Sequence, residues 1–353
     1  VTTAAELLDV RVGQRFDRFR WEVLDRNLVK IGELTPAADS RPTITGSIER
    51  PIMRTLSNVE IDATDLREIN VLTHRLRPVL ELDSGDRFPL GVYLFGDTDT
   101  NLLADGREFK RMSLPDQGWI LDQPMHRTVA MRKGQGVQDL FVQLAGEVGI
   151  TNVRLDTMVV EVAEPVVFPA GRTSRLEILR TLAQLQGCLA PYFDADGVLT
   201  CRQAPDPDSA QPDLVFELDQ MFADSYILTD DTWRAPNRYL VIGDGNDEPV
   251  VGFYDIPPSA PHSIPNRGYV VTETIDMPGI ESADMARAAA RAAYVSDSRT
   301  WQLVSFTTAL DPRLDLFGLF QIDSDLYLET EFRFELTSGG GHQHVGSKLW
   351  RLG

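Results

Sequence analysis

The chain has 353 residues, 53 of them acidic and 34 basic, and a formal charge of −19. That balance excludes sustained affinity for nucleic acid, which needs Lys and Arg to displace counterions from phosphates. Two cysteines exclude a disulfide scaffold and fit folding in a reducing cytoplasm.

The length predicts two or three domains with room for a real core. No run of about 18 apolar residues occurs, so no stable membrane insertion is expected. The opening VTTAAELLDVRVGQRFDRFRWEV lacks the basic-then-apolar order of a secretory signal. The acidic excess serves solubility, or else it forms a wall that repels DNA and lets it slide past.

The first 130 or so residues read mainly as strands. FRWEVLD (19–25) alternates, with Phe19, Trp21 and Val23 on one face. RLRPVLELDSGDRFPLGVYLFGD (75–97) reads as strand, DSGD turn, strand, with Pro78 and Pro89 at edge positions or strand starts. GREFKRMSL (106–114) alternates again. VQDLFVQLAGEVG then forms a helix whose apolar stripe is Val137, Leu140, Phe141, Leu144 and Val148, stopped at Gly149. SRLEILRTLAQLQG forms a second, opened by a Ser174/Glu177 capping box and stopped at Gly187. Shifted by about 38 residues the two helices share one pattern, which two amphipathic helices packing alike on a β layer suffice to explain.

PDPDSAQPD (205–213) is the best boundary signal. RYLVIG, VVGFYD and YVVTETI follow as strands, with GDGNDEP as a hairpin loop and IPPSAPHSIPNRG as an extended Pro-rich loop. ESADMARAAARAAYVSD is an Ala-rich helix capped by Ser282, with Asp284 in its first turn. WQLVSFTTAL and LFGLFQID are strands. LYLETEFRFELTSGGGHQHVGSKLWRL is a long strand, a glycine loop and a return strand. The class is α+β, mainly antiparallel β. The predicted division is a β-rich domain over 1–132, a helix–hairpin domain over 133–204, and a β-rich domain with one Ala-rich helix over 205–353.

GCLAPYFDADGVLTCRQ (187–203) holds both cysteines. As a calcium loop with Gly197 at position 6 it lacks the first and last ligands. Asp196-Gly197 instead predicts a two-residue turn pairing Asp194 with Leu199, Phe193 with Thr200 and Tyr192 with Cys201. Cys188 then falls beyond the pairing, as a small buried filler away from Cys201. GDG lacks the third glycine and following helix of a dinucleotide loop. His342 and His344 are the weak metal candidates. Alternate strand positions put both imidazoles on one face, but the reading places them in a solvated glycine loop with no Cys, Asp or Glu beside them. Symmetry at an oligomer axis would multiply such ligands. His74, His126 and His262 are scattered, and the pairs Asp97/Asp99 and Asp230/Asp231 sit in turn-like settings. No catalytic constellation or cofactor motif emerges, so no catalytic residue, resident metal or cofactor is assigned.

The order of parts resembles the hub proteins of bacteriophage tail tips and baseplates, in particular siphophage minor tail proteins. FRWEVLDRNLVKIGEL with ITGSIERPIMRT resembles their opening strands and I-x-R segment. RLRPVLELDSGDRFPLGVYLFGD resembles their R-x-R-P strand pair. SRLEILRTLAQLQGCLAPYFDADGVLTCR resembles their unit of helix, Gly and D-x-D-G hairpin, and ADMARAAARAAYVSD with LVSFTTALDPRLDLFGLFQI their late helix and strand. Pro312 and Leu314 match a P-x-L that such proteins often follow with Gly-Asp, where Leu316-Phe317 stand here.

The resemblance implies two tail-tube-like β-barrel-type domains per chain and a homotrimer whose pseudo-sixfold face closes the tube. It implies no enzymatic activity. The implied partners are the tail tube or distal tail protein, the tape measure protein, and fibre or spike proteins, with DNA passing through the lumen without specific binding. The implied place is the tail tip of a virion assembled in the host cytoplasm. A cell-wall hydrolase or a carbohydrate-binding receptor protein of the tail is the alternative.

Overall fold

The computed structural model describes residues 18–96, 98–102, 106–156, 166–230, 233, 235–243, 249–277, 280, 282–297 and 302–351. Ten strands form its main sheet: β1 (Thr43–Ser47), β2 (Arg54–Asp62), β3 (Thr98–Leu102), β4 (Glu108–Pro115), β5 (Leu214–Phe216), β6 (Ile227–Asp230), β7 (Gln302–Ala309), β8 (Leu319–Ile322), β9 (Asp325–Glu335) and β10 (Gly341–Leu349). The path across the sheet is β6-β7-β10-β9-β1-β2-β4-β3, antiparallel at every step. β8 pairs with the first half of β9, and β5 runs parallel to β8.

Period-two alternation builds this sheet. On β9, Phe332 and Phe334 are buried while Glu331, Arg333 and Glu335 are exposed. On β7, Val304, Phe306 and Thr308 point inward. The chain is thus mainly antiparallel β with helices, as expected. The sheets are open rather than closed barrels among the described residues. The reason is that β9 spends on β1 an edge that closure would need.

A second sheet pairs Lys30–Leu34, Arg18–Leu24 and Arg75–Glu81, the last flanked by Arg87–Pro89 and Tyr93–Leu94. Pro78 therefore lies in an interior strand, not at an edge or a strand start. Its missing N–H faces the side where pairing to Arg87–Pro89 ends, and its carbonyl accepts from Leu90 at 2.9 Å. The ladder loses little there.

Three main helices form as their patterns dictate. α1 (Val137–Gly146) buries Val137, Leu140, Phe141 and Leu144. α2 (Arg175–Leu185) opens with the capping box: Ser174 Oγ accepts from Glu177 N at 3.1 Å, and Glu177 Oε2 from Ser174 N at 2.6 Å. α3 (Ala283–Ser296) begins with Ser282 Oγ accepting from Met285 N at 3.2 Å. α1 packs on α2, and α2 reaches α3. α3 lies on a sheet of Val250–Asp255, Arg238–Gly243 and Thr272–Met277. Contact there is so close that a Cβ at Gly252 would stand 2.5 Å from Ala286 Cβ.

Two local expectations are corrected. The Pro-rich segment after Asp255 is not extended throughout, because Ile264–Arg267 forms one helical turn. Pro265 in its first turn and Gly268 in the left-handed region supply the start and stop. The final strand of YVVTETI starts only at Thr272. The GDGNDEP reading holds at its ends, since Gly243 pairs with Val250. Residues 244–248 of that loop lie outside the described residues.

Candidate functional site

The main sheet is a repeat. Taken in chain order, β1, β2, β3 and β4 occupy the spatial order first, second, fourth, third. β6, β7, β9 and β10 occupy the same order. The two four-strand units join head to tail where the third strand of one meets the first strand of the other, β9 against β1. That junction is five residue pairs, Glu331↔Ser47 to Glu335↔Thr43. Phe332 covers Gly46 there, and a Cβ at Gly46 would fall 2.3 Å from its ring. At the two ends of the path the complementary strands are bare among the described residues. β3 is a third strand with no described strand beyond it, and β6 is a first strand with none before it. Every residue of both is exposed, Leu102, Ile227 and Leu228 included. Unprotected edges of this kind are templates for further pairing.

A buried charge cluster ties the two units together. Arg54, 2% exposed, pairs through Nη2 with Asp315 in the loop before β8. Its guanidinium sits 5.2 Å from the centroid of the Phe332 ring. Its backbone N–H donates to Asp116 Oδ2 at 3.0 Å, while Asp116 Oδ1 accepts from Gly118 N at 2.7 Å. Burial pushes the Asp116 carboxyl up to about 6, against the opposing pull of those two hydrogen bonds and of Arg54. Burial also raises Asp315, with Arg54 the main offset.

The histidines expected in a solvated glycine loop are strand residues of β10, both fully buried. The hairpin closes more tightly than its three glycines suggest, with Phe334 opposite His342 and Phe332 opposite His344. A bulge between Glu329 and Glu331 turns Glu329 inward as well. Its carboxylate oxygen lies 3.2 Å from His344 Nδ1, and His344 Nε2 lies 3.2 Å from Thr308 Oγ1. Thr308 in turn donates to the Ala309 carbonyl at 2.8 Å, so Nε2 carries the proton given to Thr308. Burial holds His344 down to about 3 and raises Glu329 well above the carboxylate range, with Asp315 adding to the rise. The contact has the geometry of an ion pair, but burial favours a neutral acid donating to a neutral imidazole. Sequence reasoning missed Glu329, although counting back along the hairpin from the glycines brings this stretch of β9 beside His344.

The register of the cysteine-bearing hairpin is corrected too. The hairpin pairs Tyr192 with Thr200 and Phe193 with Leu199, one residue off the expected register. Its loop has three residues, with Gly197 at φ +79° and Asp194 Oδ1 accepting from Asp196 N and Val198 N. Gly187, at φ +68°, folds the helix end back so that Cys188 bridges to Gln203. Cys188 and Cys201 are both buried free thiols, as expected of small fillers, and Cys201 Sγ donates to the Leu189 carbonyl at 3.6 Å. Asp99 lies on exposed β3 and Asp230 on exposed β6, at opposite ends of the sheet path. Asp97 and Asp231 lie outside the described residues. His74 is half-buried and His126 exposed, and buried His262 belongs to the turn before Ile264–Arg267.

No protein family profile matches the chain, and no curated protein matches it in sequence. Solved structures do match in fold. A tail protein from Neisseria meningitidis MC58 superposes with a TM-score of 0.65 at 13% identity, over 94% of this chain and 96% of that one. The 43 kDa tail protein of prophage MuSo2 from Shewanella oneidensis gives 0.59 at 14%, over 94% and 98%. Prophage tail protein gp18 from Listeria monocytogenes EGD-e gives 0.58 at 9%, over 93% and 95%. Over 93–94% of its length, the chain has the fold of these phage and prophage tail proteins.

Proposed function

We propose that the chain is a structural hub of a phage-type tail tip, not an enzyme. In this reading three copies close the distal end of the tail tube in the virion, anchor fibre or spike proteins and take part in genome ejection. The observation that carries the reading is the head-to-tail repeat with two bare, complementary edges. A heterologous contact repeated by rotation closes a ring. β3 of one copy can add to β6 of the next as β9 adds to β1 within the chain. Three copies give six four-strand units, the symmetry needed to mate with a hexameric tube. The segments 1–132, 133–204 and 205–353 then serve as first unit, helix–hairpin spacer and second unit. The tail tube or distal tail protein and the tape measure protein are the neighbours this arrangement calls for, in a particle assembled in the host cytoplasm.

The outer face of the repeated sheet would line the lumen. By register and exposure it carries Glu60, Asp99, Glu331 and Glu335 against Arg111 and Arg333. A wall with more carboxylates than guanidiniums holds no passing phosphate. Light scattering and electron microscopy of the purified full chain test the proposal. Trimeric rings with β3 against β6 are expected. A species that stays monomeric at every concentration and sits off the tube axis in particles would overturn it. Clearing of host cell walls in a zymogram would favour the hydrolase instead.

A further inference from the structure

The buried polar cluster on the inner face of the second unit has no counterpart role in the first. β4 is the strand of the first unit equivalent to β10, and its inward residues are Met112 and Leu114. The same topology is therefore filled by apolar side chains once and by His342 and His344 once. A fold that needs only volume there has no use for two imidazoles and a carboxylate, because burying polar groups costs free energy unless each is satisfied.

Internal hydrogen bonding satisfies only part of the cluster. Glu329, His344 and Thr308 form a chain ending on the Ala309 carbonyl. His342 is the remainder. It is fully buried, and neither ring nitrogen makes a hydrogen bond of normal length and angle. Its ring lies 3.5 Å from the His344 ring, centroid to centroid, and edge-on to Phe334. The Asp311 backbone is the protein polar group that reaches this ring, short of full hydrogen-bond geometry, so at least one nitrogen of a fully buried imidazole among Phe residues still asks for a partner that is not a protein group.

We propose that Glu329, His342 and His344 bind one divalent transition-metal cation, Zn²⁺ by the chemistry of the donors, as a structural site inside the second unit. The donor atoms of the three residues lie within 4.8 Å of one another. A tetrahedral ion with bonds of about 2.0–2.1 Å spaces its ligands about 3.3 Å apart, close to the 3.2 Å between Glu329 and His344 Nδ1. The cation takes the place of the proton between them, and His344 Nε2–H keeps its bond to Thr308, the outer partner that fixes a ligating imidazole. His342 contributes one of its orphaned nitrogens. One carboxylate and two neutral imidazoles suit Zn²⁺ better than the oxygen-seeking Mg²⁺ or Ca²⁺. Both Glu329 carboxylate oxygens lie near His344 Nδ1, at 3.2 and 3.4 Å, so Glu329 binding through both completes four donors, and Phe216, Phe306, Phe332 and Phe334 wall the site, which together fit a closed structural ion. The ion enters as the β9–β10 hairpin folds.

The test uses the full chain, purified without chelators from cells grown with added zinc, and elemental analysis. About one zinc per chain is expected to survive gel filtration. Growth with Co²⁺ should give the visible absorption of a tetrahedral site. Glu329→Gln and His342→Gln, checked for folding by circular dichroism, should each lose at least tenfold in bound metal. Should those variants fail to fold, wild type still decides. Its Tm should rise when it folds with Zn²⁺ and fall when it folds with EDTA. Wild type with less than about a tenth of an equivalent of zinc and a Tm indifferent to Zn²⁺, Co²⁺ and EDTA overturns the proposal. So does metal retained equally by both folded variants.

Discussion

Arg54→Met removes the guanidinium that joins the two units and keeps most of its apolar stem. Asp315 is then left with 22% of its side chain exposed and no cation beside it. Breaking a buried pair from one side costs about 3–5 kcal/mol, because the remaining charge has lost its compensation. The contact over Phe332 adds a fraction of that, about 0.5–1 kcal/mol. With a urea slope of about 3 kcal/mol/M, the midpoint should fall by about 1.2–2 M at unchanged slope. Tryptophan fluorescence during urea titration at 25 °C reads this. Asp315→Asn keeps an acceptor for Leu316 N, 2.6 Å away, and removes only the charge. Combined with Arg54→Met it leaves no ion behind, so the double variant should be less damaged than the singles summed, with a coupling of about 2–3 kcal/mol. A single variant within about 1 kcal/mol of wild type, or a double variant at the sum, would refute a coupled charge pair.

Asp116 gives a pH signature of opposite sense to an ion-paired acid, whose folded pKa is depressed. Its folded pKa of about 6 exceeds the unfolded value near about 3.9, so the folded state binds the extra proton between them. Stability from this group is present below about pH 4 and declines as pH rises through 6, by up to about 3 kcal/mol. Asp116→Asn should flatten that slope in thermal melts at pH 4.5 and 7.5, and an unchanged slope would contradict the burial argument. Gly197→Ala places a Cβ 2.6 Å from Val92 Cγ2 at φ +79°, and should cost about 2 kcal/mol in a urea midpoint shift. Ser174→Ala removes the capping box and should cost about 1 kcal/mol by the same measure. The buried Cys188 and Cys201 should resist Ellman's reagent in native buffer and both react in guanidinium.

Local chemistry was legible in the residues. The stripe of α1, the Ser174/Glu177 box and the glycine stops at 149 and 187 each depend on neighbours within one or two turns, and each stands where the pattern puts it. What the sequence concealed depends on register. Asp194 draws Asp196 N and Val198 N onto one carboxylate oxygen, which opens the tight turn to three residues and slides the partner strand by one. Three consecutive glycines suggested a wide loop before His342, yet β10 begins at Gly341. The inward turn of Glu329 comes from a bulge that alternation alone does not announce.

The repeat itself left no mark because the two units interrupt their shared order in different places. The first inserts the sheet around Arg75–Glu81 between its second and third strands, β2 and β3. The second inserts α3 and its sheet between its first and second, β6 and β7. Sequence periodicity disappears under such insertions, while the strand order survives because it is fixed by hydrogen bonding across the sheet. The β9–β1 junction then matters twice. It holds the chain's own halves together, with Phe332 over Gly46 and Arg54 bridging to Asp315. It also shows what this sheet does when a third strand meets a first. Among the described residues β3 and β6 are bare strands of those same two kinds, with matching antiparallel sense and nearly matching length. The proposed ring asks for no new chemistry between copies, because the chain has already built the same contact once inside itself.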